Sequence, residues 1–271
     1  MPTNLQLPLL YDLPILVVGI GFMLILLASL EIGYRVGLAR RKQLKDGEAG
    51  GGGVVLTSMF ALLGLILAFT YGFTVNRYNE RRVAVIIEAN ALGTAFLRAG
   101  LVPDEKAATL RAAILDYART RVVDEDEWAT RDGAKSYFRR TLEAQSRLWP
   151  LTEEIIRGGR IDPIEATLVN SINEVIDQHT IRFATNKDRL PSPVFWMLIL
   201  IASASISVAG YNAGLGSFIS RWRMSALTFV LAVVMLLIID FDRPRRGLIR
   251  VSQEPLEWAI QGMEPLPNQS P

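Results

Sequence analysis

The chain has 271 residues, half of them apolar, with 29 basic and 27 acidic side chains. Averaged over its length, that is the balance of an ordinary soluble protein. Position by position it is not: residues 74–193 hold 18 basic and 18 acidic side chains, while four long runs elsewhere hold none. Disorder and a wholly water-soluble core are both excluded as the main description. A net charge of +2 with no basic face speaks against a nucleic-acid partner. There is no cysteine and one histidine, His179, which removes thiol chemistry and thiolate metal sites.

In chain order, the first apolar run covers residues 13–30 and the second 54–71. The third covers 194–213, and the fourth covers 224–239 and extends through Phe241. A helix needs roughly 17–25 such residues to cross the hydrocarbon layer. Lipid offers backbone groups no partner outside their own helix, so these runs read as four transmembrane helices. The first run does not read as a signal peptide. Asp12 precedes it in place of a basic segment, and Glu31 with an Arg/Lys cluster follows it.

Between the first two runs lie Arg40, Arg41 and Lys42, then four glycines, Gly50 to Gly53. No Gly-Lys-Ser/Thr follows, so this is a flexible connection and not a phosphate loop. A hairpin joins the third and fourth spans, and Gly210 and Gly214 have the spacing that lets helices approach closely. The predicted organisation is therefore 1–73 for spans 1 and 2, 74–193 for a helical extramembrane domain, 194–241 for spans 3 and 4, and 242–271 for a polar tail. An even number of spans puts both termini and the domain on one side. Ten Lys/Arg near the spans on that side against seven in the hairpins favour it, narrowly, as cytoplasmic.

Residues 74–193 are rich in good helix formers, with Gly and Pro only at breaks. No breaker separates the second span from Ala99, which predicts one long helix leaving the membrane. Asp162-Pro163-Ile164-Glu165 is a helix start, and Leu168, Ile172, Val175, Ile176 and Phe183 carry that helix to about Leu190. Roughly two more helices are expected between Asp104 and Arg157. The fold class is an all-α membrane protein with four transmembrane helices and a helical domain inserted between the second and third.

On the second span, Thr70, Thr74, Arg77, Arg81 and Glu88 share a helical face. That face fits either a pore mouth with arginines attracting anions, or a helix whose arginines snorkel while Glu88 pairs. Ala61, Gly64, Ala68 and Gly72 form a small-residue face suited to close contact, within or between subunits. Asn173, Glu174, Asp177, His179 and Arg182 crowd one helix, and a charge-paired surface is preferred to a cation site there. Asp240, Asp242 and Arg243 close the last span, where carboxylates must pair or meet water. No nucleophile–base pair or metal set stands out, so neither an enzyme nor a cofactor is expected.

Several strings resemble the bestrophin-like family of bacterial membrane proteins. They are Arg77-Tyr78-Asn79-Glu80-Arg81-Arg82, the run from Glu88-Ala89-Asn90-Ala91-Leu92-Gly93 to Arg98, and Asn173-Glu174-Val175-Ile176-Asp177 with His179 and Arg182. The last are Asp242-Arg243-Pro244-Arg245-Arg246-Gly247-Leu248-Ile249 and Val251-Ser252-Gln253. The resemblance implies a homo-oligomeric ion channel of the cell membrane, with its pore lined by the second span and cytosolic termini. It makes Ile66, Thr70, Thr74 and Arg77 candidate pore-facing residues. The candidate structural polar network is Arg81, Glu88, Asn90, Asn173, Asp177, His179, Arg182, Asp240, Asp242 and Arg243. Two features depart from bestrophins: only Asp240 and Asp242 stand where those channels have an acidic calcium cluster, and the second span lacks an aromatic triplet. The expected partners are the lipid bilayer, further copies of the chain and small ions, with anions slightly favoured. The rival expectation is a non-conducting membrane protein whose helical domain senses or binds a partner.

Overall fold

The computed structural model describes residues 13–43, 53–102, 105–122, 131–157, 163–216, 221–243 and 247–264. Most of the glycine-rich linker, the hairpin at 217–220, the Asp162 cap and residues 244–246 lie outside the described residues. Helices account for nearly all that is described: α1 (Ile15–Arg41), α2 (Gly53–Ala99), α3 (Glu105–Arg121), α4 (Arg131–Ser146), α5 (Leu148–Ile156), α6 (Pro163–Lys187), α7 (Ser192–Leu215), α8 (Arg221–Asp242) and α9 (Glu254–Met263). Four of the apolar stretches, in α1, α2, α7 and α8, are long enough to cross a membrane. Spans 2, 3 and 4 each lie inside one helix that overruns them at both ends, while α1 starts two residues into the first run and overruns only its C-terminal end. The chain divides into two compact units, 1–77 with 189–249, and 78–188 with 250–271.

The first unit holds α1, α7, α8 and the apolar half of α2. Val18, Phe22 and Leu26 recur one turn apart on α1 and are buried with Leu198, Ala202 and Ile206 of α7 and Met235, Ile238 and Ile239 of α8. The Phe22 and Phe195 rings meet with centroids 5.5 Å apart. In lipid there is no hydrophobic drive to pair helices, so close approach by small residues carries the association. Gly33 and Gly37 of α1 supply that approach against Gly210 and Gly214 of α7. A Cβ at any of the four would strike backbone across the interface: Ser207 O, Tyr211 O, Leu30 O or Tyr34 O.

The second unit holds the polar part of α2 with α3, α4, α5, α6 and α9. Its core joins Leu92 and Ala95 of α2, Leu110 and Ile114 of α3, Leu148 of α5, and Leu168, Ile172 and Val175 of α6. Burial from water drives this packing, at roughly 1.5–3 kcal/mol for each large apolar side chain. Among the described residues three helices, against the roughly two expected, lie between α2 and α6, because the chain breaks at Arg147 between α4 and α5. Helix α6 begins at Pro163 as predicted and stops at Lys187, short of Leu190, and Pro191 then caps α7. The stretch read as a polar tail contains α9, whose Leu256 and Met263 are buried in the core. Glu264 at its end pairs with Arg119 at 2.7 Å.

Candidate functional site

Helix α2 carries two contrasting faces along its 47 residues. Leu63, Leu67, Thr70, Thr74, Arg81 and Glu88 are buried, at steps of about one or two turns. The opposite side is exposed: Leu62, Leu65, Phe69, Gly72 and Asn76, then Val83, Ile87, Asn90, Thr94 and Leu97. Steps of three and four alternate along this stripe, and exposed Asn79 and Glu80 fill its one longer gap. Returning every seven residues keeps the stripe close to one side of the helix along its length.

The four candidate pore-facing residues do not lie together on that stripe. Thr70 and Thr74 belong to the packing face, and their hydroxyls turn back to the helix. Thr70 Oγ1 donates to Ile66 O at 2.8 Å and Thr74 Oγ1 to Tyr71 O at 3.0 Å. Ile66 and Arg77 are half-buried, with the Arg77 guanidinium 5.0 Å from the Phe73 ring centre. The small residues Ala61, Gly64, Ala68 and Gly72 are exposed, and a Cβ at Gly64 or Gly72 would meet nothing within 4 Å. They therefore make no close contact within the subunit.

The second unit contains a buried charge cluster centred on Glu88. Arg121 Nε donates to Glu88 Oε1 at 2.6 Å and its Nη2 to Oε2 at 3.2 Å, while Arg182 Nη1 donates to Oε2 at 2.6 Å. Arg121 Nη1 also donates to Tyr137 Oη at 3.2 Å, and Arg182 Nη2 to Gln253 Oε1 at 2.7 Å. Tyr117 Oη lies 3.0 Å from His179 Nδ1. Burial alone would raise the Glu88 carboxyl; the Arg182 and Arg121 guanidiniums outweigh it and hold the group below its ordinary range. Burial pushes His179 down to about 4, helped by Arg121 and Arg182 and opposed by Glu88. Tyr117 is raised, chiefly by burial, and so stays neutral. Two arginines facing one carboxylate form a fixed tie between α2, α3, α4, α6 and the segment before α9. Nothing in it has the geometry of a nucleophile with its base.

Of the expected polar network, Glu88, His179 and Arg182 meet in this cluster. Arg81 is buried apart from it, donating to the carbonyls of Asp188 at 2.9 Å and Thr185 at 3.4 Å. It sits at the C-terminal end of α6, where a cation meets carbonyls left without helical partners. Asn90, Asn173 and Asp177 are not in the cluster: they sit on outward faces of α2 and α6. On α6 the inward face is that of Val175, Gln178, His179 and Arg182, and residues 173 and 177 point away from it. The sequence reading missed Arg121, Tyr117, Tyr137 and Gln253. One signal was present: Arg121 occupies the same register as Ala107, Leu110, Ile114 and Tyr117, a buried face.

Asp240, Asp242 and Arg243 form a separate group in the first unit, all buried. The Asp242 carboxylate accepts the Leu190 N–H at 3.0 and 3.1 Å. Asp240 accepts N–H groups from Leu248 at 2.9 and 3.1 Å and from Ile249 at 2.8 Å. Gly247 precedes them at φ +147°, where a Cβ would strike Asp240 Oδ1. Arg243 Nη1 donates to Leu13 O at 3.0 Å. Both carboxylates at the end of the fourth span thus accept main-chain N–H groups. Among the described residues no three of His, Cys, Asp and Glu group closely enough to hold a metal ion.

A family model described as a bestrophin-like domain matches residues 22–256. No curated protein matches the sequence. Among solved structures, two single-residue mutants of a bacterial bestrophin homologue from Klebsiella pneumoniae are similar in fold. Each has a TM-score of 0.64 at 10% identity, over 89% of this chain and 98% and 97% of theirs. A mutant described only as a membrane protein gives a TM-score of 0.60 at 10% identity, over 90% of this chain and 97% of its own. The chain is thus a member of the bestrophin-like family, a multi-pass integral membrane protein with a helical domain inserted between its second and third spans.

Proposed function

We propose that the chain assembles with copies of itself around α2 and conducts small ions along the shared axis. The exposed stripe on α2 carries this reading. Within the span, exposed Leu62, Leu65 and Phe69 are what lipid alone would permit. Val83, Ile87 and Leu97 continue at the same pitch well past the apolar run, where water would face them. Copies set around a shared axis turn both parts away from lipid and bulk water at once, and a single four-span subunit has too few helices to enclose a wet path. Leu65, Phe69 and Phe73 follow one another at one-turn spacing and are all exposed, which makes them the narrow apolar section of the proposed pore. We assign them that role in place of Thr70 and Thr74, which lie buried on the packing face. Arg77 remains the basic residue beside the pore mouth and biases it towards anions; buried Arg81 does not contribute. The domain and both termini are proposed to be cytoplasmic.

The natural chain has no cysteine, so single cysteines report without background. Ile87→Cys and Thr94→Cys should each give disulfide-linked oligomers on mild oxidation, and exposed Asn173→Cys should not. Purified protein in liposomes should then release small ions, and Arg77→Glu should reverse the ion preference. A stable monomer, or crosslinked oligomers that pass no ions, would remove the channel reading.

A further inference from the structure

A cleft of about 320 Å³ opens in the first unit between α1, α7 and α8, within the size range of small-molecule sites. Leu27, Leu30, Ala213 and Met224 supply apolar walls, and Glu31, Tyr34 and Ser225 supply polar edges. Three elements place it at the headgroup level of the bilayer. Glu31 follows directly on the charge-free run of α1, Tyr211 precedes Ala213 near the end of α7, and Trp222 and Arg223 precede Met224 at the start of α8. Leu27 and Leu30 lead from there back towards the hydrocarbon.

The acidic residue of the polar edge, Glu31, has a basic partner just outside the lining. Arg35 Nε donates to Glu31 Oε1 at 2.8 Å, and these side chains are 76% and 46% exposed. A carboxylate accepts at about four lone-pair sites and a guanidinium donates through five N–H groups, so the bond between them does not by itself exhaust either group. We propose that this cleft binds a phospholipid whose headgroup carries both a phosphate and a hydrogen-bonding ammonium. The ammonium donates to Glu31, the phosphate accepts from Arg35, and one acyl chain lies along Leu27 and Leu30. An anionic glycerol headgroup offers the carboxylate neutral hydroxyls and no cation, and a choline headgroup has no N–H to donate to it.

The test uses the full-length protein in detergent with phosphatidylethanolamine, phosphatidylcholine and phosphatidylglycerol of identical acyl chains. Bound lipid is read by native mass spectrometry and stability by thermal unfolding. Phosphatidylethanolamine should be retained severalfold more than either competitor and should raise the unfolding temperature most. Glu31→Gln should abolish that preference, and Arg35→Gln should lower retention of all three lipids. Met224→Trp fills the cleft without touching the charges, and it should cut retention even if Glu31→Gln misfolds. Equal retention of the three lipids, a preference unchanged by Glu31→Gln, or retention unaffected by Met224→Trp would overturn the proposal. None of these readouts depends on ion flux.

Discussion

Glu88 of α2 and Arg182 of α6, 94 residues apart in sequence, meet at 2.6 Å with both side chains buried. Arg121 of α3 meets the same carboxylate at 2.6 Å, so one acid is shared by two bases inside the extramembrane unit. An isolated buried charge is expensive, and removing one partner of a buried pair strands the others. Glu88→Gln should therefore destabilise the protein by about 3–5 kcal/mol. Exposed Asp177→Ala on the same α6 should stay within about 0.5 kcal/mol. Chemical denaturation followed by circular dichroism measures both, and equal effects would refute the central role given to Glu88.

Acid should weaken the same cluster in two stages. His179 titrates at about 4 in the folded protein against an ordinary 6.5, because burial and the two arginines disfavour its cation. The unfolded chain therefore takes up the proton first as pH falls. The stability held by neutral His179 is complete above pH 6.5 and declines between 6.5 and about 4. Glu88, held below its ordinary 4.5, keeps its contribution above that pH and loses it only as pH falls through its lower folded value. Unfolding temperature should thus fall from pH 6.5 downwards, and His179→Gln should flatten the part above 4.5. An identical slope in that variant would show that another group is responsible.

Much of the fold is legible in the sequence because long, charge-free or breaker-free stretches admit one conformation. The four spans, the continuation of α2 to Ala99 and the Pro163 start of α6 are of this kind. What escapes is whatever depends on a partner distant in sequence. Gly210 and Gly214 show the right spacing, yet their meaning rests on Gly33 and Gly37 of α1, which nothing local singles out. Likewise Glu88, His179 and Arg182 are identifiable as polar residues in helices, while the choice of Arg121 over Asn173 or Asp177 as companion is made by which face turns inward. Helix α9 has only two buried anchors, Leu256 and Met263, too few for a period to show.

The glycine contacts separate packing within a subunit from contact between subunits. Gly210→Val would drive its side chain into the Leu30 carbonyl and the Tyr34 N–H of α1, forcing the helices apart. Overpacking of this kind costs about 1–3 kcal/mol, so the variant should melt earlier in detergent. Gly64→Ala and Gly72→Ala meet no atom of their own subunit, and in a helix interior alanine is favoured by about 1 kcal/mol. Their subunits should fold at least as well as the natural one. Any loss in these two variants should appear as altered stoichiometry in light scattering, not as a lower unfolding temperature of the subunit.

Asp240 holds the chain after the span through the Leu248 and Ile249 N–H groups, and Asp242 holds the start of α7 through Leu190 N–H. An acidic pair spent on backbone donors lacks the six to eight converging oxygens that calcium requires. Millimolar calcium should leave the unfolding temperature unchanged, as should its removal by a chelator. Asp240→Ala, by contrast, should destabilise the protein measurably, because it leaves the part-buried Leu248 and Ile249 N–H groups without their carboxylate acceptor. Gly247→Ala should act in the same direction, since its methyl group would strike the Asp240 carboxylate at a positive φ. A clear calcium-induced rise in unfolding temperature that vanishes in Asp240→Ala would instead show that the main-chain donors give way to a cation.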